Sequence, residues 1–144
     1  MKTASKKQKK IIFITFIIYL LIVLRLTVFR VGVCYAERQY NFAFFSDLIY
    51  IYRNMGISHF LRLFLGNIGW FIPFGFILPL LWKRISFLKT VFMGFLFSLT
   101  IEFMQFAFYK GVAEVDDLIL NTFGVAIGYL LNKWLSGFVA RIRS

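Results

Sequence analysis

The sequence predicts an all-α fold: a polytopic membrane helix bundle of about four transmembrane helices plus an interfacial aromatic segment, with both termini cytoplasmic. Three observations carry that expectation. Hydrophobic residues make up 60% of the 144 positions, 20 of them Phe, and mean hydropathy is +0.79. A soluble domain is about half apolar and about a quarter charged. The apolar residues also gather into four runs near the ~20 residues needed to cross ~30 Å of hydrocarbon. Finally, the 17 Lys and Arg, against 6 Asp and Glu, fall mostly at the ends of those runs. The net charge of +11 therefore reads as topology and lipid-headgroup contact rather than nucleic-acid binding. The length fits one domain over residues 1–144.

The chain opens with MKTASKKQKK, a cytoplasmic basic tail over residues 1–10. The first span follows from Ile11 to about Arg30. A secretory signal would be shorter and would precede a small-residue cleavage site, so this run is expected to stay in the protein. Residues 31–61 are more polar, with Tyr and Phe recurring between Glu37, Arg38, Asp47 and Arg53. Such a segment suits headgroup level, with a short interfacial helix around Ser46–Arg53. The second span, about Leu63–Trp82, contains Pro73 and Pro79 together with Gly66, Gly69 and Gly75. Proline frees a backbone carbonyl and bends the axis, so Gly66, Gly69 and the two prolines read as packing and kink positions. The third span is about Thr90–Tyr109 and the fourth about Leu118–Gly137. No internal repeat is evident, which speaks against a transporter built on duplicated halves.

Orientation follows from the positive charges. With four spans, the N-terminal lysines, the Lys83, Arg84, Lys89 turn and the Lys133, Arg141, Arg143 tail share one side, which should be cytoplasmic. The KGVAEVDD loop, with three acids and one lysine, falls outside together with 31–61. The single cysteine, Cys34, excludes an internal disulfide and a Cys-based metal site. A lone His59 makes a poor metal site and reads as interfacial. No metal and no cofactor are expected.

Ser98, Glu102 and Gln105 stand at i, i+4, i+7 and share one helix face. A charge at that depth costs ~2.5–3.5 kcal/mol unless it is protonated, paired or wet, so Glu102 needs a partner. Asp117, Asn121, Gly124 and Gly128 form a second stripe, ending in the Gly-x-x-x-Gly spacing that brings two helices close. With Asn67 and Arg25, the strongly polar intramembrane residues all map to the outer half: Arg25, Asn67, Glu102, Gln105, Asp117 and Asn121. Arg25 would pair with Glu102 or Asp117. One reading is an outward-facing ligand pocket; the other is that these groups simply hold helices together.

The stretches GNIGWFIPFGFILPLLW, SLTIEFMQF and GVAEVDDLILNTFGVAIGY together resemble three consecutive signatures of the VanZ-like family. Those are an Asn followed by Pro-Phe-Gly, a Ser-Leu-x-x-Glu-x-x-Gln helix, and an Asp-Asp-x-x-x-Asn-Thr-x-Gly-Gly-like end. The resemblance covers about Asn67–Tyr129. One position departs: Gly124 is followed by Val125, where the family often has a second glycine. The resemblance implies a bacterial plasma-membrane protein of several helices. It also implies a link to low-level resistance to the glycopeptide teicoplanin, with no agreed catalytic activity.

The function expected first is non-enzymatic binding of an anionic envelope component: a membrane lipid, a lipid-linked cell-wall precursor or the glycopeptide antibiotic. Arg25, with Arg30, would meet phosphate or carboxylate, while Asn67, Gln105 and Asn121 donate hydrogen bonds. Glu102 and Asp117 would hold the arginine or accept from ligand hydroxyls and amines. The alternative is a membrane-embedded enzyme using Glu102, Asp116 and Asp117 as acid, base or cation ligands. A third reading is an ion-coupled permease subunit that self-associates through Gly124 and Gly128. The sequence leaves the oligomeric state open.

Overall fold

The computed structural model describes residues 5–29, 31–32 and 34–142; Arg30 and Arg143, to which roles were given above, lie outside them. Five helices, α1 (Lys6–Thr27), α2 (Ser46–Met55), α3 (Ile57–Leu81), α4 (Phe87–Ala107) and α5 (Val115–Ile142), form the expected all-α bundle. Two short strands, β1 (Gln39–Asn41) and β2 (Val112–Glu114), pair in parallel, Tyr40 opposite Ala113. The four long apolar helices α1, α3, α4 and α5 are each able to cross a membrane.

Local chemistry sets the helix ends, and several differ from expectation. The start of α1 lies inside the basic tail because Ser5 and Gln8 form a reciprocal capping box, with bonds of 2.8 and 3.2 Å. Six residues before Leu63, α3 already begins, because Gly56 at φ +84° turns the chain directly out of α2 without a Cβ clash. The Ser86 hydroxyl accepts the Lys89 N–H and starts α4. At 28 residues α5 is roughly 42 Å long, and it runs through Gly137, the expected end. Nothing surrounds Gly137 and no proline follows, so the helix has no reason to stop there. Lys9, Lys83, Arg84 and Lys89 surround one shallow depression, which puts the N-terminal lysines and the α3–α4 turn at the same end. The opposite end carries β1, β2 and α2.

The centre of the bundle is α3 packed on α5 at backbone distance. A Cβ on Gly124 would overlap the Ile68 carbonyl, one on Gly128 the Ile72 carbonyl, and one on Gly75 the Val125 carbonyl. Gly124-x-x-x-Gly128 is therefore occupied within the chain by α3, which corrects its reading as a self-association face. Gly66 and Gly69 are corrected too: a side chain at either would meet nothing within 4 Å, so they are not packing positions. Val125 is fully buried, and its branched side chain fills the space above Gly94, so the residue that departs from the family pattern has its own glycine partner. Phe71, Phe74 and Phe97 interlock beside it, with ring centroids 5.6–5.8 Å apart. Asn132 overturns the expectation that no strongly polar residue sits in the half nearer the lysines. It is buried there and donates a 2.9 Å bond to the Phe76 carbonyl.

Candidate functional site

At the loop end, side chains from α1, α2, α3, α4, β2 and α5 enclose a cavity of about 530 Å³. Four of the chain's six acids line it, Asp47, Glu114, Asp116 and Asp117, with the amides of Asn67 and Gln105. Among the described residues lining it there is no lysine, arginine or histidine. In a protein of net charge +11, that is a concentrated patch of the opposite sign.

Local chain geometry positions each acid. Asp116 and Asp117 open α5, where the helix N-terminus favours negative charge. The Asp116 Oδ1 accepts the Phe45 N–H at 2.7 Å. Phe45 is in the left-handed conformation, φ +54°, which costs a non-glycine residue roughly 1–2 kcal/mol; the charge-assisted bond holds it there. The Asn41 amide completes that corner, accepting from the Ala43 N–H and donating to Ser46 Oγ, each at 2.9 Å. The corner starts α2, whose first turn brings Asp47 to the cavity. Asp117 accepts a hydrogen bond from the Asn67 side chain on α3.

Behind the cavity lies a supporting layer. Glu102 is buried, and its Oε2 accepts the Glu114 N–H at 2.9 Å, tying α4 to β2. Asn121 donates to Ser98 Oγ at 2.9 Å, tying α5 to α4. Gln105 donates from Nε2 to the Thr27 carbonyl on α1 at 3.5 Å, while its Oε1 is buried without a partner. Gly111 packs so close to this amide that a Cβ would come 2.8 Å from Nε2. Among the described residues, Asp116 Oδ2 is the other buried side-chain oxygen without a partner.

Of the six residues singled out from sequence, Asn67, Gln105 and Asp117 line the cavity, and Glu102 and Asn121 stand one layer behind it. Arg25 does not join them. It is exposed, its guanidinium donates to the Phe29 carbonyl, and it borders a shallow apolar groove with Ile18 and Leu21. The reason is angular: α1 turns Phe16 and Val23 into the bundle, and Arg25, two residues past Val23, points roughly 200° away. The expected pairing of Arg25 with Glu102 or Asp117 is not made. Asp47 and Glu114 were missed. Asp47 comes from a segment read as interfacial, and Glu114 from a loop with no helical periodicity.

Glu114 lies outside the spans, and its carboxyl is pushed up to about 7, first by burial and then by Asp117, Asp47 and Asp116. The cavity therefore changes charge near neutral pH. Among the described residues no three His, Cys, Asp or Glu side chains are grouped to hold a metal ion.

The sequence matches the VanZ/LLP1 family over residues 16–136. The chain belongs to that family. Every residue that lines the cavity falls within the matched stretch. Among curated relatives, Protein VanZ of Enterococcus faecium is 35% identical over 98 residues, 65% of this chain and 60% of that protein. The match thus spans less than two thirds of that relative's length. No solved structure matches the chain. Family membership and the four long apolar helices make this a multi-pass membrane protein of VanZ type.

Proposed function

We propose that this VanZ/LLP1 protein lies in the bacterial plasma membrane with both termini in the cytoplasm. There its acidic cavity, facing outward, binds the polar part of an envelope lipid, a lipid-linked wall precursor or a glycopeptide. Occupation of that site gives low-level resistance to teicoplanin-type antibiotics. One observation carries the reading: a cavity of about 530 Å³, the size of a small-ligand site, at the end opposite the clustered lysines. Positive charge marks the cytoplasmic side, which supports the outward orientation.

The ligand class changes from the one first expected. An anionic ligand needed Arg25, and that guanidinium lies on the far side of α1. A cavity lined by carboxylates and amides instead favours a ligand rich in hydrogen-bond donors. Catalysis by clustered carboxylates has less support, because Glu102 and Asp116 each already accept a backbone N–H.

The test is teicoplanin susceptibility in a strain with and without the protein, and with Asp47→Ala and Tyr50→Ala variants at matched membrane levels. Both residues line the cavity, and neither side chain makes a hydrogen bond that holds the fold. Loss of protection in the variants is expected. Wild-type protection from both would remove the cavity from the mechanism.

A further inference from the structure

The cavity holds two buried acceptors with no donor: Gln105 Oε1 and Asp116 Oδ2. Gln105 is 9% exposed and Asp116 4%, so bulk water does not serve them. The orientation of the Gln105 amide is fixed, because the Thr27 carbonyl can only accept and so takes Nε2. That leaves Oε1 without a donor in a lining it shares with the carboxylates of Asp47, Glu114, Asp116 and Asp117. An unmade hydrogen bond in such a place destabilises the empty site. Whatever fills this cavity must bring both N–H donors and positive charge.

We propose that the site recognises the primary ammonium group of a lipid headgroup; this rests on the envelope-binding reading above. An ammonium offers three N–H donors on one compact charge, which suits a cavity whose lining is dominated by carboxylates. A quaternary ammonium brings the charge without a donor for those carboxylates. A hydroxyl or neutral amide brings donors but leaves the carboxylates uncompensated. Tyr50 and Trp70 in the walls add aromatic faces that attract cations.

The rest of the cavity specifies that the amine is on a lipid. On the membrane side its rim is apolar: Leu26, Met55, Leu63 and Trp70 are 44–54% exposed. On α3, Gly66 shares a face with Leu63, Asn67 and Trp70, and a Cβ there would meet nothing within 4 Å. The open space beside Gly66 leaves room for an acyl chain along α3.

The experiment uses the full chain purified in detergent and exchanged with equimolar phosphatidylethanolamine, phosphatidylcholine and phosphatidylglycerol of matched acyl chains. Native mass spectrometry then reads the lipid that is retained. Wild type should keep phosphatidylethanolamine about tenfold over each of the others. Gln105→Leu and Asp47→Asn should each erase most of that preference, and Asp47→Lys should turn it toward phosphatidylglycerol. Asp47 makes no hydrogen bond that holds the fold, so its variants keep the test valid if Gln105→Leu fails to fold. Equal retention of the ethanolamine and choline lipids would overturn the proposal while leaving the susceptibility result above untouched. No bound lipid, with protection from unfolding by free ethanolamine, would overturn its lipid half.

Discussion

The Asn132 amide on α5 donates to the Phe76 carbonyl, three residues ahead of Pro79 in α3. On the other side of α3, the Tyr19 hydroxyl of α1 donates at 2.6 Å to the Trp70 carbonyl, three residues ahead of Pro73. Each proline removes a backbone N–H and opens the preceding turn, and in hydrocarbon the loosened carbonyls must find donors on neighbouring helices. The two bonds tie α3 to α5 and α1 one residue past the carbonyls of Gly75 and Gly69, which the prolines leave without a helical donor. Asn132→Leu and Tyr19→Phe should each destabilise the detergent-solubilised protein by about 1 kcal/mol, read from thermal or denaturant unfolding. Unchanged unfolding in both would mean that neither bond holds α3 to its neighbours.

Gly124 tests the contact between α3 and α5. A methyl group there must displace the Ile68 carbonyl of a neighbouring helix, and backbone cannot yield as a flexible side chain does. Gly124→Ala should lose about 3 kcal/mol or more, seen as aggregation or loss of the folded peak on size exclusion. Gly137→Ala is the matched control. It meets nothing and gains helix propensity, so it should be neutral or stabilising by up to about 1 kcal/mol.

Arg25 makes the opposite prediction. Among the described residues its guanidinium reaches only the Phe29 carbonyl of its own helix end, on the face of α1 turned from the bundle. Arg25→Gln should leave teicoplanin susceptibility and headgroup preference unchanged, with stability within about 0.5 kcal/mol of wild type. A loss of protection equal to that of the cavity variants would bring the arginine back into the site.

Why Arg25 misled is itself physical. Residues 11–24 are apolar apart from Thr15 and Tyr19, too few polar groups to mark the inward face of α1, and depth alone does not make two residues neighbours. On α4 and α5 the polar residues stand out from an apolar background, and there the face was legible: Ser98, Glu102, Gln105 and Asn121 are all buried between helices. Asn132 went unread although it stands four residues past Gly128 on the stripe of Asn121, Gly124 and Gly128. The parallel pairing of β1 with β2 was not legible, because three residues show no periodicity. That pairing, with the Asp116–Phe45 bond, carries Asp47 and Glu114 to the cavity.

Glu114 gives that cavity a pH dependence whose sign can be worked out. Its carboxyl titrates near 4.5 when free and near 7 in the fold, so between those values the folded protein holds more protons than the unfolded chain. Stability must then fall as pH rises from about 4.5 to 7 and stay low above that. Thermal unfolding of the wild type should weaken over this window, and Glu114→Gln should make the profile shallower and raise stability at pH 8. The same deprotonation adds negative charge to the site, so retention of an ammonium lipid should strengthen over the range where stability falls. Opposite slopes for stability and binding, both flattened by the one substitution, would tie the two effects to this carboxyl. Parallel slopes would assign the binding to another group.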